Sequence, residues 1–340
     1  MRVRKTVLSM AVLLSSSSLP LLKLFRHKYQ FNVFAAAWST NISGLRTAKT
    51  SFQMNSHSSL SNRRLYSSLD SVHDFSFYHH PTIDSTQDEA KRILECEVGN
   101  LEKRYFAISA SQQNKGRGTN GRKWIGIEGN MFLTFAFPME DLPVPVTLLP
   151  LKIGCIMACT VKNILEKSSA EDLSYKVTLK WPNDVLIDEK KVGGVLIESG
   201  CNTVNNDYYF LVGIGINIVS TPEVPSVGLE RGRTATSIND FLGEACFKEA
   251  KAEEIAKNIS NQLYCWLKLN TDRNLDKDIE SSIVVNEWKS HVTNWGKELI
   301  LRDSEDSFNT VTPVSIEADG QLLVRDKFGK QRLLSADYLL

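Results

Sequence analysis

Six apolar runs of strand length lie between Tyr105 and Ile218, and a single helix-length segment, Leu149 to Lys167, interrupts them. The runs are Tyr105 to Ala110, Met131 to Phe137, Val177 to Trp181, Val185 to Ile187, Val192 to Glu198 and Tyr208 to Ile218. Compact runs of this kind, bounded by glycine and polar clusters, read as strands, so the middle of the chain is mostly sheet after one helix. Two further segments carry helical spacing. Thr86 to Val98 places Ala90, Ile93, Leu94 and Val98 on one side behind a Thr86-x-x-Glu89 capping box. Glu249 to Leu269 does the same with Ile255, Ile259, Leu263, Trp266 and Leu267. From Trp295 to Leu340 short apolar runs alternate with turns at Asp303-Ser304, Asp319-Gly320 and Phe328-Gly329, the pattern of a small β-barrel.

Charge divides the chain. Residues 1 to 69 hold 10 Lys and Arg, 14 serines and no acidic residue before Asp70, whereas the remainder carries 30 basic and 39 acidic residues, a net of −9. The leader has no sustained hydrophobic period and reads as an organelle import presequence, for plastid or mitochondrion. Val7 to Leu22, behind Arg2, Arg4 and Lys5, is broken by Ser15 to Ser18, so a bipartite plastid signal stays open, as does an unstructured tail without an address. Met54 offers a start for a cytosolic form. The expected organisation is a presequence over 1–69, a catalytic domain over 70–290 and a small C-terminal domain over 291–340.

The acidic body disfavours nucleic-acid binding. The longest apolar segment, Leu148 to Leu165, contains Lys152, Thr160 and Lys162 and reads as a buried helix, so no membrane span is expected. Six scattered cysteines without a CxxC pair suggest neither a disulfide framework nor zinc, and the histidines form no metal cage. A protein-borne metal cluster is therefore not expected.

Three segments carry chemistry. GRGTNGRKW, Gly116 to Trp124, combines glycines that let backbone amides approach a ligand with the anion-binding charges of Arg117, Arg122 and Lys123. Gly116, Gly118 and Gly121 also match the dinucleotide pattern, but Arg122 to Asn130 has no helical period, so no helix N-terminus follows to receive a pyrophosphate. The loop should lie near the sheet edge. KWPNDVLIDEKKVGGVLIES, Lys180 to Ser199, reads as two strands around a turn at Asp188-Glu189 that brings Asp184 and Lys191 to one neighbourhood, with Gly193 and Gly194 leaving room for a ligand. The third, VGIGIN from Val212 to Asn217, puts glycines inside a strand, which marks either close ligand approach or a bulge. Singly, each has a plain structural reading.

Together, in this order and spacing, they resemble the biotin protein ligase (holocarboxylase synthetase) family over residues 76 to 340. The resemblance implies an α+β fold, a mixed sheet flanked by helices and related to class II aminoacyl-tRNA synthetases, with a small SH3-like β-barrel at the C-terminus. It implies that Ser85, Thr86, Gln87 and Gln113 line the ureido end of biotin, and that Gly116, Arg117, Gly118 and Thr119 form the ligand loop. Lys191, beside Gly194, would contact the carboxylate and α-phosphate. Trp124 would pack near the adenine, Asn183 and Asn217 would hold that end, Arg122 would face the phosphates, and Asp184 would orient or deprotonate the acceptor lysine.

The implied reaction uses ATP, Mg²⁺ and biotin, forms biotinyl-5'-AMP and transfers biotin to a lysine of a biotin carboxyl carrier domain. Two anions must meet, so Arg117, Arg122, Lys191 and Mg²⁺ would offset their repulsion, and no covalent nucleophile is needed. Bacterial relatives usually place a second arginine where this chain has Thr119, and asparagine where it has Gln87. The residues ahead of Asp84 fit no helix-turn-helix, so repression is not expected. A lipoate ligase and a non-catalytic binding module are the alternatives; monomer and homodimer are both left open.

Overall fold

The structure is a computed structural model and describes residues 75–95, 104–168, 175–223, 234–242, 251–273, 276–292, 295–302 and 308–336. The leader and Met54 lie outside the described residues, as do the Val98 end of the first expected helix and the Asp303-Ser304 turn.

The elements in chain order are β1 (Ser76–Ile83), α1 (Thr86–Glu95), β2 (Phe106–Gln113), β3 (Met131–Pro138), α2 (Leu149–Ser168), β4 (Val177–Lys180), β5 (Asp184–Ile187), β6 (Lys190–Cys201), β7 (Tyr208–Ile216), α3 (Ala252–Arg273), α4 (Lys277–Ser290), β8 (Leu299–Arg302), β9 (Phe308–Ile316), β10 (Leu322–Asp326) and β11 (Gln331–Leu334). The first seven strands form one sheet in the order β1-β2-β3-β7-β6-β5-β4. It is mixed: β1 runs parallel to β2, and every other neighbouring pair is antiparallel. The architecture is therefore α+β, as the sequence implied. The glycine-rich loop follows β2, one strand in from the edge, because the edge is taken by β1, which the apolar-run reading missed.

β7 shows how the sheet divides its two faces. Phe210, Val212, Ile214 and Ile216 join the main core. On the alternate positions Tyr209 and Leu211 enter a smaller cluster with Ala90 and Leu94 of α1, and then the side chains vanish at Gly213 and Gly215. A strand shows successive residues to opposite faces, so this sequence builds a continuous core on one side and an opening on the other. α2 supplies the core side: Leu151, Ile153, Cys155, Met157, Ala158 and Val161 are buried there. The apolar stretch of α2 is thus a core helix. Its Lys152 is buried and pairs with Glu287 at 2.6 Å.

The Asp188-Glu189 turn joins β5 and β6 with both residues at positive φ, 46° and 66°, as a two-residue hairpin requires. Pairing then slips: Val185 opposes Gly193, but Leu186 opposes Lys191, which leaves Val192 as an extra residue. This β-bulge decides which way side chains point. Val192 is in the core, and a Cβ on Gly193 would meet Met157 2.8 Å away, so both face α2. Lys191 and Gly194, three apart and hence on opposite faces of a regular strand, face the same side.

One local expectation is corrected. Thr86 is already helical, and its backbone N–H donates to Gln113 Oε1 at 2.8 Å, while the Glu89 carboxylate accepts from Arg92 Nε at 2.7 Å; the capping box is not formed. The start of α1 is held instead by Asp84, which accepts from Ser85 N–H and from both terminal nitrogens of Arg92. That hydrogen bond with Arg92 keeps the Asp84 carboxyl at about 2. The C-terminal segment forms a four-stranded antiparallel meander, β11-β10-β9-β8, and among the described residues no ladder joins β8 to β11 to close a barrel. Val311, Ile316, Leu322 and Val324 of this meander join the same core as α2 and α4. Its Asp319-Gly320 turn accepts hydrogen bonds from Thr147 Oγ1 and, at 3.1 Å, Trp181 Nε1.

Candidate functional site

On the face opposite α2, a cavity of about 740 Å³ opens beside Gly213 and Gly215. The sequence-predicted residues Ser85, Thr86, Gln87, Gln113, Arg117, Gly118, Thr119, Arg122, Trp124, Asn183, Asp184, Lys191, Gly194 and Asn217 all line it. Gly116 does not. A Cβ there would sit 2.6 Å from Trp124 O, and Trp124 N–H donates to Gly116 O at 2.9 Å, so this glycine closes the loop on itself.

The loop is a narrow hairpin. Arg117 bridges Lys123, Gln113 bridges Gly126, and Gly118 N–H donates to Arg122 O at 2.7 Å. A one-turn 3-10 helix, Thr119–Gly121, forms its tip. No α-helix follows Gly121, which removes the dinucleotide-binding alternative.

One end of the cavity is a chain of uncharged polar groups. Thr134 Oγ1 donates to Thr86 Oγ1 at 2.9 Å, and Thr86 Oγ1 donates to Gln113 Oε1 at 3.1 Å. Gln87 sits beside Gly213, where a Cβ would be 3.1 Å from its amide carbon, and its Nε2 makes long contacts of 3.3 and 3.4 Å to Leu211 O and Leu196 O. Gln87 Oε1 is buried without a partner, as are Trp124 Nε1 and Asn217 Oδ1. A buried polar atom left unpaired costs about 1–3 kcal/mol, so three of them around one cavity mark groups that a ligand completes.

The other end carries charge. Lys191 Nζ lies 2.6 Å from Asp184 Oδ1, both largely buried, and 5.3 Å from the centre of the Trp124 ring. The hairpin brings Asp184 and Lys191 together as its spacing implied. The glycines next to them serve a different purpose from the expected one. A Cβ on Gly215 would lie 2.5 Å from Trp124, and one on Gly194 would lie 3.1 Å from the Lys191 side chain and 3.4 Å from Trp124. They admit the protein's own indole and lysine; Gly193 faces the core.

Arg117 departs from the role of an open phosphate-facing cation. Its Nη1 is in contact with Asp88 Oδ1, and its Nη2 is 2.8 Å from Glu198 Oε2. Burial works against its charge, but the Asp88 hydrogen bond and the Glu198 charge outweigh it and push its pKa up. Arg122 braces the loop, donating to Thr119 O at 3.2 Å and Thr119 Oγ1 at 3.0 Å. Asn183 and Asn217 each donate through Nδ2 to backbone, at Val195 O and Thr236 O.

Sequence reasoning missed Asp88 and Glu198, whose surface-like charges carry no pattern, and the far wall of Pro222, Glu223 and Ala235. That wall is secured by Asp240, which accepts from Thr221 Oγ1, Thr236 Oγ1 and Ser237 N–H. Burial there favours the neutral acid, but these hydrogen bonds outweigh it and lower the Asp240 pKa. Among the described residues no cluster of three acidic, His or Cys side chains is placed to hold a metal ion. The carboxylates lining the cavity are Asp184 and Glu223. A magnesium ion arriving with a nucleotide needs only one or two such ligands beside the phosphates, so the donor set fits an ion of that kind.

The model of the biotin/lipoate A/B protein ligase family matches residues 81–217. The bifunctional ligase/repressor BirA of Escherichia coli is 36% identical over 140 residues, which are 41% of this chain and 39% of that protein's length. The biotin--[acetyl-CoA-carboxylase] ligase of Paracoccus denitrificans is 26% identical over 256 residues, 75% of this chain and 96% of that one. The solved structure of the Aquifex aeolicus biotin protein ligase in complex with biotin and ATP superposes with a TM-score of 0.56 at 25% identity, covering 78% of this chain and 97% of that one.

Proposed function

Because the chain belongs to the biotin protein ligase family, we propose that it is an ATP-dependent biotin protein ligase that forms biotinyl-5'-AMP and transfers biotin to a lysine of a carboxylase's carrier domain. The observation that carries this reading is the convergence in one cavity of Lys191 with three buried, unpartnered polar atoms, Gln87 Oε1, Trp124 Nε1 and Asn217 Oδ1. The ureido group of biotin offers two N–H donors and a carbonyl, and the hydroxyls and amides around Thr86, Gln87 and Gln113 match it. A dithiolane ring would leave them unpaired, which favours biotin over lipoate.

In the first step a carboxylate oxygen of biotin attacks the α-phosphorus of ATP and pyrophosphate leaves. Both reactants are anions, so Lys191 at the charged end stabilises the charge that gathers between them. Asp184 and Glu223 are the residues that would hold Mg²⁺, which supplies further charge neutralisation on the phosphates. The loop from Gly116 to Trp124 excludes water from the mixed anhydride. In the second step the acceptor amine attacks the anhydride carbonyl and AMP leaves. Asp184 would orient the amine or take its proton.

Finer readings rest on the same basis. The single parallel pair in an otherwise antiparallel sheet supports kinship with class II aminoacyl-tRNA synthetases, and the meander of β8 to β11 supports an SH3-like C-terminal domain. The basic, serine-rich leader supports organelle import. Biotin-dependent exchange of labelled pyrophosphate into ATP tests the assignment, with lipoate as parallel substrate. Exchange with lipoate alone moves it to the sister activity; exchange with neither leaves a binding module.

A further inference from the structure

We propose that Asp88 and Glu198, with Lys91, are positioning residues that clamp Arg117 and thereby hold the glycine-rich loop closed over the cavity, retaining the adenylate where this chain lacks a second arginine. The proposal rests on the ligase reading for its consequence, and on geometry alone for the clamp.

The clamp joins three elements. Arg117 is in the loop, Asp88 and Lys91 are three residues apart on one side of α1, and Glu198 projects from β6 on the cavity face. Glu198 takes Arg117 Nη2 on Oε2 at 2.8 Å and Lys91 Nζ on Oε1 at 3.2 Å, while Asp88 takes Arg117 Nη1. Each nitrogen of the fork has its own carboxylate, which fixes the direction of the guanidinium as one ion pair does not. Two cations and two carboxylates sum to zero, so the group contributes little field to the cavity. Its effect is mechanical: it ties the loop to the helix that presents Ser85, Thr86 and Gln87 and to the strand that presents Lys191.

The tip of the loop has its own brace. Thr119 stands where relatives have arginine, and it accepts from Arg122, so that guanidinium is turned along the loop. Neither loop arginine is directed at an adenylate phosphate as a bare charge. Retention by this loop is therefore a matter of how often it opens, and its opening breaks the contacts of Arg117. All four side chains of the clamp are partly exposed, with 24–35% of their side-chain surface accessible, so salt weakens it.

Trypsin reads the opening directly, because Arg117, Arg122 and Lys123 are its cleavage points in the loop. In the full-length wild-type chain, cleavage there, normalised to a free peptide of the same sequence, rises several-fold between about 50 mM and about 1 M KCl. A D88N/E198Q variant is cut roughly tenfold faster at low salt and has lost the salt response; E198D falls between. In the same variant the release of preformed biotinyl-5'-AMP accelerates, and KM for biotin rises more than kcat falls. Wild-type cleavage indifferent to salt overturns the proposal without any substitution being made. So do wild-type rates of cleavage and release in the folded variant. If the wild-type chain forms no adenylate, the ligase reading fails while the cleavage comparison still decides the clamp.

Discussion

The two faces of the seven-stranded sheet are written by the same strands and obey opposite rules. Toward α2, Phe135, Phe210, Val212 and Ile216 are buried in one continuous core. Toward α1, the apolar cluster stops at Leu211, and from Gly213 onward the strand offers backbone, covered in part by the Trp124 ring, and then the unpartnered amide oxygen of Asn217. The first face is satisfied within the protein; the second is left incomplete. Stability therefore resides on one side of the sheet and chemistry on the other, and substitutions should separate accordingly.

The widest separation is expected from Phe135→Ala, which removes a fully buried ring and should cost about 3–5 kcal/mol in urea unfolding while biotin binding per folded molecule holds. A small loss would mean the core face is not what carries the fold. Lys191→Ala should do the reverse: pyrophosphate exchange falls at least about a hundredfold, close to 3 kcal/mol of barrier, with an unfolding midpoint near that of wild type. If it unfolds the chain instead, the division between faces fails.

Gly215→Ala tests the boundary. Its methyl would lie 2.5 Å from Trp124, so both readouts should move, with stability down by about 1–3 kcal/mol and exchange reduced. Trp124→Leu in the same chain should recover part of the stability but not the exchange, a coupling that a double-mutant cycle measures. The smallest effect concerns Asp240, whose hydrogen bonds hold its pKa below the ordinary carboxylate value. A depressed carboxyl stabilises the fold above its unfolded pKa and loses that contribution as pH falls through its folded pKa. Wild type should thus be more stable than D240N at neutral pH, and the gap should shrink below about pH 4. A gap that stays constant with pH would assign the effect to packing.

Much of this was legible in the sequence, and what was not has physical reasons. The hairpin from Lys180 to Ser199 announced itself because turn chemistry and apolar runs are local signals, and they sufficed to bring Asp184 and Lys191 together. β1 escaped notice because an edge strand needs no apolar run: SFYHHPTI contains only exposed and half-buried residues, with Pro81 among them. α4 was hidden by Ile283-Val284-Val285, a β-branched run that reads as strand, though Asp276 caps it through Asp278 N–H at 2.9 Å. The glycines were rightly suspected of making room, but only the fold could show that Trp124 and Lys191 fill it. Asp88 and Glu198 were invisible for a general reason: ion pairs 29 and 81 residues apart leave no periodic trace.

The extra residue at Val192 has a consequence for how the strand tolerates change. Upstream of it the alternation of β6 is read in one frame, downstream in the other, and Lys191 and Gly194 share the cavity because the frame shifts between them. Deleting Val192 would remove one aliphatic side chain and leave every charged and polar group of the chain present. It would also restore a regular ladder in which Lys191 and Gly194, then two residues apart, still look to the same side. The lesion would be one of packing rather than parity: a core side chain lost beside α2, with the ammonium group and the glycine face both still turned to the site.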